Sequence, residues 1–168
     1  MISAKIMILG AVGVGKTSLV KRFVRDRFDE DYKTTIGVDI QTCDVTPETD
    51  GQTVRLMLWD TDGDFSQRIF EMAYVKGAGG AIVVADATRP PTMEKLTTLA
   101  REFEDQFPGR PVRAVVNKCD LVEVAEPELS ATGLHASEIL LPSARTGQGV
   151  RALFASVASD ILRRHASR

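Results

Sequence analysis

The sequence predicts an α/β fold: a mostly parallel six-stranded sheet with one antiparallel edge strand and helices on both faces. Three observations carry this. Short apolar runs of strand length alternate with longer segments whose apolar residues fall on one helical face, the pattern of strands joined by helical crossovers. One pair of runs flanks Glu48-Thr49-Asp50-Gly51, a hairpin turn signal, and a hairpin makes an antiparallel pair. A glycine-rich segment, 10–17, sits between the first apolar run and the first helical pattern, in the order strand, loop, helix. In such sheets ligands collect at the carboxyl ends of the strands, which is where this loop falls.

The elements follow in order. Ile6, Met7, Ile8 and Leu9 make residues 2–9 a strand, and Leu19, Val20 and Phe23 on one face make 16–25 a helix. Strands are expected at about 37–46 and at 53–59, either side of the turn at 47–51. A helix at about 66–75 leads to a strand at 80–85, part of the longest apolar run of the chain. A helix at 92–106, a strand at 112–116, a short helix near 127–133, a strand at 138–142 and a helix at 148–165 complete the alternation. No repeat, low-complexity stretch or linker interrupts it, and 168 residues with 43% hydrophobic content suit a single domain over 1–168.

Composition narrows the function. With 21 basic and 23 acidic residues there is no electrostatic case for nucleic acid or for an anionic membrane. Cys43 and Cys119 lie far apart in apolar segments and are read as reduced core thiols of a cytoplasmic protein. The two histidines, at 135 and 165, argue against a histidine metal cluster. The longest apolar run is far short of the roughly 20 residues a spanning helix needs. Residue 2 is Ile and the segment 163–168 holds no cysteine, so no intrinsic lipid anchor is expected.

The glycine-rich segment names the ligand class. Gly10-Ala11-Val12-Gly13-Val14-Gly15-Lys16-Thr17 has the full G-x-x-x-x-G-K-T spacing. Its glycines let the backbone curl so that the N–H groups of Gly13, Val14, Gly15, Lys16, Thr17 and Ser18 can gather around phosphate at the positive end of the following helix. Lys16 would reach the outer phosphates and the Thr17 hydroxyl would ligate Mg2+.

The base is read further along. Asn117-Lys118-Cys119-Asp120 follows the strand at 112–116 and so shares the sheet edge with the phosphate loop. The Asp120 carboxylate can accept hydrogen bonds from N1–H and the 2-amino group of guanine; adenine offers neither donor, and the wrong base would leave the carboxylate unpaired. Ser143-Ala144-Arg145, after the next strand, would supply a backbone N–H to the guanine oxygen. Absence of an arginine-rich lid segment disfavours a nucleoside kinase.

On these motifs, together with Thr35-Ile36-Gly37-Val38-Asp39 and Trp59-Asp60-Thr61 with Gly63, the chain resembles a small GTPase of the Ras superfamily, most of all the Rab branch, from about residue 3 to 164. The resemblance implies the three-layer P-loop NTPase G domain and a switch in which GTP and Mg2+ hold two loops that hydrolysis to GDP releases. It implies that Thr35 is a second protein ligand of Mg2+, that Asp60 reaches the metal through water, and that the Gly63 N–H holds the γ-phosphate. Phe28 would pack against the base edge, the Lys118 stem would cover the base, and Tyr32 would close over the phosphates. Lys16, Gly63 and Asp64 would carry the catalytic positions.

Two departures bear on mechanism. The usual Asp-Thr-Ala-Gly-Gln-Glu reads here Asp60-Thr61-Asp62-Gly63-Asp64-Phe65, which puts Asp64 where the water-orienting glutamine belongs. An ionised carboxylate about 4 Å from a phosphate charge is repelled by roughly 1 kcal/mol in water and about 4 kcal/mol at an effective dielectric of 20. Val12 stands where the family carries glycine or another small residue and would crowd the attacking water. Slow intrinsic hydrolysis is the expectation; the alternative is a nucleotide-locked interaction module with negligible turnover, or hydrolysis through Asp62 or a partner's side chain.

The resemblance also implies effector, exchange and activating proteins as partners. In the Rab branch an aromatic cluster forms the effector surface, and its positions here are Ile40, Trp59 and Tyr74, with Ile40 replacing the usual phenylalanine. Trp59 and Tyr74 suit either a contact surface or interior packing.

Overall fold

The computed structural model describes residues 1–30, 37–61, 75–124, 132–134 and 138–168. Strand β1 (Ile2–Gly10) leads through the phosphate loop into helix α1 (Lys16–Arg25), and the hairpin strands β2 (Val38–Val45) and β3 (Val54–Thr61) follow. Then come β4 (Gly80–Asp86), α2 (Pro91–Gln106), β5 (Val112–Asn117), β6 (Ile139–Leu140) and α3 (Val150–Ala166). The sheet order is β2-β3-β1-β4-β5-β6. Among the described residues only β2 runs antiparallel, pairing Val38 with Thr61 and Val45 with Val54, and every other neighbour is parallel. This is the expected sheet, with the hairpin supplying the edge strand.

Alternation along the central strands sorts the core into two layers. Ile6, Ile8, Val54, Leu56, Leu58, Ile82, Val84 and Val115 face α1 and α3, meeting Leu19 and Val20 of one and Leu153, Phe154, Val157 and Ile161 of the other. Met7, Leu9, Ala81, Val83, Ala85, Ala114 and Val116 face α2, meeting Met93, Leu96, Leu99 and Phe103. All seven residues of β4 are buried, which is why that segment reads as a continuous apolar run rather than an alternation. Each large side chain so buried contributes about 1.5–3 kcal/mol. The two packed faces therefore hold the strand ends, where the site lies, in fixed register.

The parallel order brings the carboxyl ends of β1, β3, β4 and β5, at Gly10, Thr61, Asp86 and Asn117, to one edge of the sheet. The Thr61 hydroxyl donates to the Ile8 carbonyl (2.7 Å) and ties β3 to β1 there. Gly10 has φ +150, and a Cβ on it would stand 2.4 Å from the Val84 carbonyl oxygen, so only glycine lets the chain leave β1 this close to β4.

Some boundaries differ from the sequence reading. The last strand is two residues rather than five: it pairs Ile139 and Leu140 with Ala114 and Val115, then meets Pro142, which has no N–H for a ladder, while the Ser143 N–H turns to Gln148 O (2.9 Å). Helix α3 begins at Val150 rather than 148 because Gly149 takes a left-handed conformation (φ +73) at its start. Cys43 and Cys119 are free thiols at the core margin, each partly exposed, rather than interior residues; burial and the Asp44 charge push the Cys43 thiol up to about 11. The helix expected at 66–75 falls outside the described residues but for Val75, and that at 127–133 but for Thr132 and Gly133, which form a turn. Among the described residues no helix is long and apolar enough to cross a membrane.

Candidate nucleotide site

Side chains claim the carbonyls of the phosphate loop in succession. Lys16 Nζ donates to the carbonyls of Gly10 (2.9 Å) and Ala11 (2.8 Å). Arg89 Nη2 donates to Val12 O (2.6 Å), Lys118 Nζ to Gly13 O (2.9 Å) and Asn117 Nδ2 to Val14 O (3.0 Å). In a trans peptide each C=O is antiparallel to the next residue's N–H, so the carbonyls held by Arg89, Lys118 and Asn117 point the N–H groups of Gly13, Val14 and Gly15 away from those side chains. A run of inward N–H groups at a helix N-terminus is an anion nest. Gly15 is required by contact as well as by its φ of +100, since a Cβ there would come within 2.2 Å of Asn117 Nδ2. Lys16 is buried, Ser18 is half-buried in the first turn of α1, and Val12 is half-buried in the loop.

Beside the loop is an oxygen-rich corner. The Thr17 hydroxyl donates to Asp60 Oδ2, and Asp60 Oδ1 is buried with no hydrogen-bond partner among the described residues. Burial pushes the Asp60 carboxyl up to about 6, against the lowering effects of the Thr17 hydrogen bond and the Lys16 charge; Asp39, paired across the hairpin with Asp60, adds a raising charge. A buried carboxylate with a spare oxygen, next to a hydroxyl, is a donor set for a hard divalent cation such as Mg2+. The residues present therefore fit the metal.

The base-reading segments converge from two strand ends. Asn117, buried at the end of β5, accepts from the Ala144 N–H (3.1 Å) through Oδ1 while its Nδ2 holds Val14 O, so one amide joins the phosphate loop to the segment 143–145. Lys118 takes a left-handed conformation (φ +67), which sends its stem back over the loop. Ser143 Oγ donates to Asp120 Oδ1 (2.7 Å) and accepts from the Thr146 N–H (3.1 Å), and Arg145 Nη1 stands 4.0 Å from Asp120 Oδ2. Phe28 packs half-buried against the core layer of α1 and α3.

Two residues that the sequence reading passed over are part of this framework. Asp86, at the end of β4, is 1% exposed; its Oδ1 accepts from the Thr88 N–H (2.8 Å) and hydroxyl (2.6 Å), and its Oδ2 from Lys118 (2.7 Å). Burial alone would raise this carboxyl, but the hydrogen bonds from Lys118 and Thr88 and the Lys118 charge outweigh it and hold it below the usual range. Arg22 of α1 donates from Nε to Ala144 O (2.7 Å) and from Nη2 to Arg145 O, bracing the base-side loop. A carboxylate ending an otherwise fully apolar strand was the available signal for Asp86; nothing local marks Arg22.

Tyr32, Thr35, Gly63, Asp64 and Tyr74 lie outside the described residues. Of the candidate partner surface, Ile40 is 49% exposed on β2, and Trp59 is partly buried against the α2 layer with Lys5 Nζ 3.7 Å from its ring centroid.

A sequence profile of the Ras family matches residues 5–163. The chain is 36% identical over 169 residues to the Ras-related protein RIC1 of Oryza sativa subsp. japonica, covering 97% of this chain and 82% of that protein. It is 35% identical over 163 residues to the Ras-related protein Rab-18 of Caenorhabditis elegans, covering 94% and 79%, and 34% identical over 167 residues to the Ras-related protein RABA2a of Arabidopsis thaliana, covering 95% and 75%. The chain thus belongs to the Ras family with Rab-like similarity, a small GTPase whose family binds GTP and GDP with Mg2+ and works through regulator and effector proteins.

Proposed function

We propose that residues 1–168 form one cytoplasmic G domain that switches between GTP and GDP and hydrolyses its GTP slowly. The observation that supports the nucleotide reading is the engagement of three successive carbonyls, of Val12, Gly13 and Val14, by Arg89, Lys118 and Asn117, which turns the N–H groups of Gly13, Val14 and Gly15 away from those side chains, as an anion nest needs. Gly13, Val14, Gly15, Lys16, Thr17 and Ser18 take the phosphates, and Asp120 with Ser143, Ala144 and Arg145 takes the guanine. Asn117 and Lys118 hold the two together; Phe28 and Tyr32 flank the nucleotide. Thr17 and Thr35 ligate Mg2+ and Asp60 reaches it through water. Held there, Mg2+ would supply charge neutralisation for the phosphates. Gly63 holds the γ-phosphate, and Ile40, Trp59 and Tyr74 belong to the partner surface of the two switch regions.

Slow hydrolysis rests on Asp64 and Val12. Phosphoryl transfer in these proteins is mostly positioning and charge stabilisation, and an aspartate supplies neither the glutamine's amide nor its reach. Its charge opposes the phosphate's, while the branched Val12 crowds the space used by the water. The same two residues favour the second reading, a nucleotide-locked binding module. Single-turnover GTP hydrolysis separates them: Asp64→Gln and Val12→Gly are each expected to be faster than the wild type. A wild-type rate at or above both variants overturns the proposal, and turnover undetectable in the wild type but restored by Asp64→Gln selects the locked module.

A further inference from the structure

The carbonyl of Val12 is held by a side chain from outside the phosphate-binding and base-reading motifs. Arg89 lies in the turn between β4 and α2, 77 residues from the loop it touches. Its guanidinium does two things at once: Nη2 donates to Val12 O at 2.6 Å, and Nε lies 3.3 Å from Asp86 Oδ2. Lys118 repeats the arrangement one residue along, joining Gly13 O at 2.9 Å to the same Asp86 oxygen at 2.7 Å. Two cations thus bridge one buried carboxylate to two consecutive loop carbonyls.

The turn that carries Arg89 is itself fixed. Thr92, in the first turn of α2, donates from its hydroxyl to Arg89 O (2.7 Å) and accepts from the Asp86 N–H (2.9 Å). The Arg89 N–H donates to Asp86 O (3.0 Å). Backbone and side chain of Arg89 are therefore both referred to the end of β4, and the planar guanidinium, on a side chain 45% exposed, reaches the Val12 carbonyl from there.

We propose that Arg89 is a positioning residue for the nucleotide: by holding the Val12 carbonyl on Asp86 it turns the Gly13 N–H toward the phosphates and slows nucleotide release. The reason is the planarity of the 12–13 peptide. Its C=O and N–H point opposite ways, so rotation of the unit that frees the carbonyl also removes a donor from the nest. A hydrogen bond from a guanidinium that is itself ion-paired to Asp86 resists that rotation better than one from water does. This inference rests on the loop's holding phosphate, as proposed above.

The test is release of fluorescent N-methylanthraniloyl-GDP from the full chain in Mg2+, chased with excess GDP. Arg89→Ala is expected to release it about tenfold faster, the loss of one charge-assisted hydrogen bond. Arg89→Met, which keeps the apolar stem, is expected to match Arg89→Ala. Arg89→Lys, which keeps the charge but loses the planar fork, should fall between. Arg55→Ala, an exposed arginine paired with Asp44 on the hairpin, should leave the rate unchanged and so exclude a general charge effect. The phosphorus resonance of the GDP β-phosphate should shift in Arg89→Ala, since it reports the donors around it. Release within twofold of wild type, with an unmoved resonance, overturns the role of Arg89 and leaves the nucleotide reading standing. Failure of the wild type to retain labelled GDP, with Lys16→Ala no different, overturns both.

Discussion

The two ends of the site are built on opposite principles. At the base-reading end every polar side chain named above has a partner in the protein: Asn117 is bonded on both sides, Lys118 bridges Asp86 and Gly13, and Asp120 is held by Ser143. At the metal end, Asp60 is buried with one oxygen unpartnered among the described residues and its carboxyl pushed up to about 6. The first end is preorganised by the fold. The second retains an electrostatic cost that a cation would relieve, and this is the arrangement a ligand-dependent switch needs, because the energy of binding is gained where the protein alone is unsatisfied.

The contrast can be broken at either end, and the largest effect is expected at the loop between them. Lys16→Ala should weaken GTP binding by at least about 100-fold, because it removes the buried charge proposed to face the phosphates; isothermal titration measures it. Asp120→Asn should come next, lowering affinity for GTP by roughly 100-fold while admitting xanthine nucleotides, whose 2-carbonyl can accept from the new amide. Competition between guanosine and xanthosine diphosphates would show the exchange, and unchanged preference would count against Asp120 as the base reader.

Asp60→Asn tests the metal end, and its sign is opposite for stability and for function. The folded carboxyl titrates near 6, above the 3.8 of an ordinary aspartate, so its favourable contribution is complete below 3.8 and is lost as pH rises through 6. The nucleotide-free, metal-free protein should therefore become more stable as pH falls from about 6 toward 4, and Asp60→Asn should remove that slope. At pH 7 the substitution should stabilise the nucleotide-free protein, by up to about 3 kcal/mol, while weakening the dependence of GDP retention on Mg2+. Denaturant melts across pH and retention with and without chelator read the two effects. The smallest expected change is Ser143→Ala, which removes one hydrogen bond to Asp120 and should speed GDP release by about threefold to tenfold. Equal release rates would mean that Asp120 is oriented without it.

How much of this was legible beforehand follows from where the chemistry sits. The phosphate loop, Asn117 to Asp120 and 143–145 are each contiguous, so their spacing is visible directly. Strand and helix positions were legible from apolar periodicity, because burial on one face imposes it. The length of β6 was not, since Pro142 ends a strand only through the ladder it fails to join. Arg22 and Arg89 were invisible because each acts at a position far along the chain, reached by a long side chain whose direction no local pattern encodes.

By itself, the sequence determined the α/β alternation and the spacing of the candidate phosphate-loop and base-reading motifs, since these depend on apolar periodicity, local backbone freedom and donor and acceptor chemistry. Tertiary structure alone decided that Asp86 would stand beneath the loop with two cations on it, that Arg22 would brace the base-side segment, and that Asp60 would be buried with an oxygen to spare. The physical reason is the parallel sheet: packing α1 and α3 on one face and α2 on the other fixes four strand ends at one edge, and only there do residues tens of positions apart come within hydrogen-bond reach.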